Sequence, residues 1–569
     1  MTSDASTTDH AQLAALLFPH IDKTPADWLA HYPPRPLPPG AFVTRYAPSP
    51  TGFVHIGSIY ASLVARRAAH QTGGVFFLRI EDTDKKREQD GSIEKIVANM
   101  INFGLQPDEG IVQVNPEIEL GAYAPYTQSE RVEIYETFAK DLVARGLAYP
   151  AFDTDAELDA MRRAQEAQNA KPGYYGEWAR WRSASLEQVR AKLEAGERPA
   201  IRVRAPYPNA AHIQLEDEIR GFIDMPANDT DAVLLKSSNR LPTYHFAHVV
   251  DDTLMRVNLV TRGDEWLPSV PLHLQLFSYI GQPAPKFAHI APIAKMDGTA
   301  RRKLSKRKDP EADMTYYYQA GYPEQAVTEY LLNLANSSFQ DWRRDNPRTP
   351  NHAFGFSIHK MGVAPPLFDL VKLNDISKNV IATFSAAEVY GLVQTWANKH
   401  DPRIAAVLAA DPAYSEAVFN VERMTASPRK DIVNWSDVER AVGFFFDPLF
   451  ADAVARDGYP MPEYPRQVIT AILDHVAGFD PAQPKEIWLA EMRTFAEAHG
   501  FARDAKTYKQ APDQFHGHFG DMMMVVRVGL TARTNTPDLH EIMHTLGTER
   551  VRARIAQARA YMSSDAQMN

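Results

Sequence analysis

The chain has no cysteine among its 569 residues, which excludes disulfides and any thiolate-held zinc. It has no long apolar run either: nothing approaches the roughly 18–20 residues that a membrane-spanning helix needs. A basic segment ahead of an apolar one is absent from the N-terminus, and LAALLF at 13–18 is too short and too polar-flanked for a secretory signal. A cytoplasmic protein without a membrane partner is therefore expected. Positive charge is not in excess. The formal net charge of −10 argues against indiscriminate polyanion binding, although local basic patches can still hold a nucleic acid. There is no internal repeat of fixed period, and compositional bias is confined to HYPPRPLPPG at 31–40, which should be extended and stiff.

What is present is first of all length, enough for roughly three to five domains. Hydrophobic residues at 44% and charged residues at 23% are those of an ordinary globular protein. Residues 42–58, FVTRYAPSPTGFVHIGS, organise the rest. The run 42–46 is apolar-rich with β-branched members and reads as a buried strand. Pro48, Pro50 and Gly52 break it, and a helical pattern begins near Gly57. A strand, a tight loop and a helix start place backbone N–H groups where an anion can sit. Far downstream, KLSKR at 303–307 lies in a basic patch, 295–308, with seven basic residues against the single Asp297. Alone, such a run reads as a solvated loop or a targeting signal. A third motif, RIEDTD at 79–84, lies between them at the end of an apolar strand beginning at Val75.

In this order, HIGS and KLSKR resemble the two ATP signatures of class I aminoacyl-tRNA synthetases. RIEDTD narrows the resemblance to the bacterial-type glutamyl-tRNA synthetases, from about residue 40 to the C-terminus. The resemblance implies an α/β fold: a class I Rossmann-like parallel sheet, an inserted α+β acceptor-binding domain and a C-terminal all-α anticodon-binding module. The expected parts are an N-terminal arm with a Pro-rich linker (1–40), a first catalytic half (41–152), the inserted domain (153–229), a second catalytic half with the KLSKR loop (230–314), a stem-contact domain (315–390) and the helical anticodon-binding domain (391–569). Strand–helix alternation across 42–150 independently argues a doubly wound parallel sheet. The arm is expected to pack on the catalytic part through a helix at 9–18. Helical periodicity at 468–476 and 485–498 fits the all-α module.

The implied reaction is attack of a glutamate carboxylate on the α-phosphate of ATP, followed by transfer to tRNA. The nucleophile belongs to the substrate, so alignment and charge stabilisation are what the enzyme must supply. His55, Lys303 and Lys306 are the expected catalytic residues. Pro50, Gly52, Gly57 and Ser305 join them around ATP, with Gly57 allowing close approach. Magnesium is implied as part of the ATP complex; no carboxylate cage for it is evident. Some bacterial members carry a zinc knob, and no zinc is expected here. Burying the side-chain carboxylate of glutamate needs a cation. Resemblance places Arg45 and Arg262 in that pocket, with Arg45 toward the γ-carboxylate, together with Ser49, Glu81, Tyr244 and His248. Glu81 suits the α-ammonium. Relatives often have asparagine at position 248. Ser58, Leu304 and Arg307 depart from the general HIGH and KMSKS patterns without removing His55 or the lysines.

The partners implied are L-glutamate and tRNA(Glu), with tRNA(Gln) also charged by some relatives, and a monomer is the family expectation. The glutaminyl enzymes are the alternative, but they read PEPNG and DDTN where this chain has APSPTG and EDTD. A non-catalytic tRNA-binding paralogue would be expected to lose one ATP signature. Other signals read as structural. The pair His245 and His248 lacks a third ligand, and Met522 to Met524 suits a core. The aromatics of GYYGEWARWR at 173–182 suit either base stacking or a small core. Asp251 and Asp252 are expected to follow a buried strand and either to cap the next element or to approach ATP.

Overall fold

The computed structural model describes residues 4–50, 54–84, 88–116, 118–305 and 307–568; the expected site residues Gly52 and Lys306 lie outside them. The chain divides into two compact units. One comprises Met1–Tyr316 with Val327–Asp369, the other Tyr317–Ala326 with Leu370–Asn569. The segment 315–390, expected as one stem-contact domain, is thus shared between them.

In the first unit, helices α1 (Asp4–Leu17) and α2 (Pro25–His31) precede a sheet ordered β1 (Val43–Tyr46), β2 (Val75–Leu78), β3 (Glu109–Ile111), β4 (Glu119–Leu120). The first three strands are parallel and the fourth antiparallel. Helix α3 (Ile56–Gln71) connects β1 to β2, α4 (Ser92–Asn102) connects β2 to β3, and α5 (Val132–Ala144) follows. Leu13, Ala14, Leu17, Phe18 and Trp28 of the arm are buried in the core that α5 supplies with Ile134, Phe138 and Leu142. Thr24 and Asp27 form a capping box at α2, and Arg35 of the proline segment lies 3.9 Å above the Tyr123 ring. The arm is therefore a packed layer.

Strand β5 (Ala148–Ala151) leads through α6 (Asp155–Ala167) and α7 (Leu186–Glu194) to β6 (Ala200–Val203) and the hairpin β7 (His212–Asp217)–β8 (Gly221–Pro226). Strand β9 (Val233–Leu235) then completes an antiparallel sheet, β5–β6–β9. Tyr174 and Tyr175 are buried, and Tyr174 joins Tyr149 and Ala179 in a small core. Packing explains these two aromatics. Beyond β9 the chain forms α8 (Tyr244–Leu254), not the strand expected before Asp251 and Asp252. The helix is buried nearly all round, and a short apolar run of that kind reads equally as a buried strand or a buried helix.

Parallel strands β10 (Leu259–Gly263) and β11 (Lys286–Ile290) flank α9 (Val270–Tyr279), and β7 joins the far edge of β11. Asn258 ties the two sheets together. Its side-chain oxygen accepts from Val43 N at 2.7 Å, and its own N–H donates to Val43 O at 3.2 Å. The parallel order β3–β2–β1 thus abuts β10–β11. In such sheets the ligand crevice lies beyond the C-terminal strand ends, where strand order reverses. The hairpin β12 (Ala294–Asp297)–β13 (Ala300–Lys303) carries the KLSKR loop.

The second unit is helical, with the expected helices observed at Arg466–Val476 and Lys485–Ala498. One two-residue parallel pair, Phe501–Ala502 with Gly517–His518, departs from an all-α module. Met522 is fully buried in its core, and His518 caps the helix Phe519–Thr531 by accepting from Asp521 N.

Two adjacent glycines close α3 for different reasons. Gly73 has φ +71°, and Gly74 lies so close to β1 that a Cβ there would stand 1.8 Å from Phe42 O. Gly73→Ala is expected to cost about 1 kcal/mol from the left-handed conformation. Gly74→Ala must push β1 away and is expected to reach the ~3 kcal/mol of severe overpacking. Thermal unfolding of the two variants checks the order.

Candidate active site

A cavity of about 620 Å³ opens beyond the C-terminal ends of β1 and β10. Of the expected residues, Arg45, Ser49, His55, Gly57, Glu81, Tyr244, Arg262 and Lys303 line it. Pro50 is buried, Ser305 half-buried, and neither reaches the lining; His248 lies behind the Tyr244 ring, fully buried.

At one end stands the start of α3. His55 is its N-cap, and Nδ1 accepts from Gly57 N at 2.9 Å. That bond fixes the neutral tautomer, leaving the proton on Nε2 as a donor. A Cβ on Gly57 would sit 3.1 Å from the His55 ring, so the glycine permits the capping geometry. Lys303 Nζ lies 3.7 Å from Glu265 and is exposed. The basic patch is less positive in space than in sequence. Arg302 pairs with Asp297 and Asp309, and Lys295 pairs with Glu311. The Arg302 guanidinium holds Asp309 well below the usual carboxylate range. Asp309 also accepts from Ser305 N at 2.9 Å, shaping the loop, while Leu304 is buried beneath it.

The other end is a buried charged wall. Arg45, at the end of β1, donates through Nε to both oxygens of Asp252 at 3.2 Å. Arg79, from RIEDTD, donates to Asp252 at 2.6 Å and to Glu81 at 3.1 Å. Burial disfavours the Arg79 charge, but Asp252 and Glu81 more than offset it, so its pKa is raised. Burial also raises the Glu81 carboxyl, against the pull of Arg79 and Arg45. Next door, Asp251 accepts from Arg131 Nε, Gln128 and Tyr135, each at 2.8 Å. Adjacent helix positions point about 100° apart, so Asp252 serves the cavity wall and Asp251 the interior.

Arg262 differs from these. Its Nε donates to His289 Nε2 at 3.0 Å and its Nη1 to His273 Nδ1 at 3.1 Å, with the Tyr244 hydroxyl at 3.4 Å. Among the described residues no carboxylate pairs with it, and its buried Nη2 has no hydrogen-bond partner. Its donors also set the neighbouring tautomers. His289 must then donate from Nδ1 to Asp217 at 2.6 Å, and His273 from Nε2 to His245 Nδ1 at 3.0 Å. Burial lowers the pKa of His245, His273 and His289, and pushes His248 down to about 3. At the cavity wall Arg45 and Arg79 are thus met by Glu81 and Asp252, whereas Arg262, among the described residues, reaches a buried carboxylate, Asp217, only through the His289 ring. A guanidinium so placed suits a carboxylate ligand.

Sequence reasoning missed Arg79 and Trp266, whose ring lies 4.2 Å from that of Tyr244, and left Asp252 between a cap and an approach to ATP. A signal was available. Tyr244, His248 and Asp252 recur at i, i+4, i+8, the spacing of one helix face; the first two rings stack, and the last two are joined by a 2.8 Å contact.

Comparison with known proteins places the chain in a family. The model for the catalytic domain of class I tRNA synthetases (E and Q) matches residues 41–341, and an anticodon-binding domain model matches 388–559. The glutamate–tRNA ligase of Clostridium perfringens strain 13 is 46% identical over 551 residues, covering 96% of this chain and 100% of the relative. That of Sorangium cellulosum is 44% identical, covering 94% and 98%. The crystal structure of a glutamate tRNA ligase from Elizabethkingia meningosepticum, in complex with its amino acid, superposes with a TM-score of 0.69 at 27% identity, over 91% of this chain and 99% of that one. Sequence and fold agree, and the chain belongs to the glutamate–tRNA ligase branch of the class I tRNA synthetases.

Proposed function

We propose that this enzyme attaches L-glutamate to tRNA(Glu) by way of glutamyl-adenylate, using the cavity between β1 and β10. The carrying observation is Arg262, a buried guanidinium on the cavity with an unused N–H and, among the described residues, no directly paired carboxylate. The side-chain carboxylate of glutamate supplies the missing partner. Glutamine would leave the Arg262 guanidinium without a directly paired carboxylate, which disfavours the glutaminyl alternative.

An α-carboxylate oxygen of glutamate attacks the α-phosphorus of ATP, and the bond to pyrophosphate breaks. The terminal ribose hydroxyl of the tRNA then attacks the activated carbonyl, and AMP leaves. The residues act by placement and charge. His55 Nε2–H donates to a phosphate oxygen. Lys303, with Lys306 as the family resemblance implies, neutralises the β- and γ-phosphates, and magnesium arrives with ATP. Glu81 takes the α-ammonium, and Ser49 and Tyr244 complete the amino-acid wall. The side-chain carboxylate goes to Arg262 first, because Arg45 already meets Asp252; this reverses the order that resemblance alone suggests. His248 acts from behind Tyr244.

The direct test is charging of purified tRNA(Glu) and tRNA(Gln) with labelled glutamate, ATP and magnesium. Label is expected on tRNA(Glu). Label on tRNA(Gln) as well would mark a non-discriminating enzyme, and label on neither would overturn the reading. Arg262→Met is expected to lower kcat/KM for glutamate about 100-fold while leaving the KM for ATP unchanged, the pattern of a lost charged contact to one substrate. An equal rise in both KM values would contradict the assignment.

The histidines predict a pH response. In the unfolded chain each binds a proton near pH 6.5, whereas the folded chain withholds it from His248 down to about 3. Their contribution is complete above about pH 6.5 and is lost as pH falls toward 3. The melting temperature should therefore fall between pH 7.5 and 5.5, with a shallower fall in His248→Asn.

A further inference from the structure

The geometry points to Asp252 as a positioning residue that acts on glutamate through Arg45. The inference rests on the pocket assignment above and deepens it. Asp252 is fully buried and does not line the cavity, so it touches no substrate. Its carboxylate nonetheless gathers three donors from three elements. Arg45 comes from β1, Arg79 from the loop after β2, and His248 Nδ1 from the preceding turn of its own helix, 2.8 Å away. The Arg45 fork is thereby held at Nε, its other nitrogens lying 3.3 Å from Thr261 O and 3.4 Å from His248 Nδ1.

This arrangement assigns distinct work to the two pocket arginines. Arg45 is locked before substrate arrives, and Arg262 keeps a free donor. A long side chain held in one geometry loses little rotamer freedom when substrate binds. The ladder Tyr244–His248–Asp252 supplies the hold. Tyr244 forms the cavity wall, His248 stacks on it with its ring plane within 5°, and His248 donates to Asp252. Tyr244 and Arg45 are thus fixed by one continuous stack.

The test is a double-mutant cycle on tRNA charging, with KM for glutamate, KM for ATP and kcat measured for the wild type, Asp252→Asn, Arg45→Ala and the double variant. Asparagine keeps the shape but turns one acceptor into a donor facing other donors. Asp252→Asn is expected to raise the glutamate KM about tenfold, with kcat within about threefold and the ATP KM unchanged. On the Arg45→Ala background it should add less than about twofold, because its effect runs through Arg45. Effects that multiply independently, or an equal change in both KM values, would overturn the proposal and mark Asp252 as merely structural. An unaltered glutamate KM in Arg45→Ala would remove the pocket assignment and the proposal with it; a raised KM there but not in Asp252→Asn would remove the proposal alone.

Should Asp252→Asn fail to fold, His248 decides. His248→Leu removes one holder of the same carboxylate and is expected to raise the glutamate KM about threefold, only where Arg45 is present. His248→Asn, whose amide nitrogen can take the place of Nδ1, is expected to restore it. A His248→Leu effect that persists without Arg45, or no effect at all, overturns the proposal.

Discussion

Two neighbouring carboxylates inside one helix hold the catalytic unit together. Asp251 and Asp252 are both fully buried, and a lone buried charge would be costly enough to neutralise or unfold the site. Each is instead met by arginine and by neutral donors. Because helix geometry turns consecutive side chains apart, one carboxylate faces the cavity wall and the other the interior beside α5. Arg79 lies within reach of both, at 2.6 Å from Asp252 and 3.9 Å from Asp251. Strand β1, the loop after β2 and the turn before α5 are thereby referred to a single helix.

The proposed selectivity for an acidic amino acid rests on what the network leaves without a directly paired carboxylate among the described residues. Arg45, Arg79 and Arg131 are committed to carboxylates, whereas Arg262 is held by neutral imidazoles that accept its protons without cancelling its charge. A histidine cradle fixes an arginine and keeps it electrostatically available, which an aspartate could not do. The same cradle depends on the histidines staying neutral, and burial ensures that they do.

The parts legible in the sequence were those punctuated by proline and glycine or carried by charged motifs. The strand at 43–46, the helix that starts near Gly57, the β12–β13 hairpin's KLSKR loop and the cavity residues of the β1–α3 and RIEDTD stretches are of this kind. Helix α8 was not assigned, because a short apolar run such as 246–250 reads equally as a buried strand or a buried helix; the i, i+4, i+8 spacing of Tyr244, His248 and Asp252 is what distinguishes the two. The loop's charge was misjudged for a different reason. A local count finds only Asp297, whereas the fold also brings Asp309, Glu311 and Glu265 to the same cations. Aromatic residues at 174 and 175 fit two roles from composition alone, and only their burial decides between them.

The arm's contacts bear on the order in which the chain can assemble. Arg256, just past the end of α8, donates to the carbonyls of Leu29 and Tyr32, and Arg35 donates to Met255 O. During synthesis, residues 4–40 leave the ribosome long before these partners exist. Trp28 and Tyr32 must then remain uncovered until α5 emerges, and they are locked only after α8 has followed. Contacts so distant along the chain form late and leave apolar surface exposed to aggregation in the meantime. The arm thus waits for partners 220 to 227 residues further along the chain, and chaperone shelter during translation matters for it over that interval.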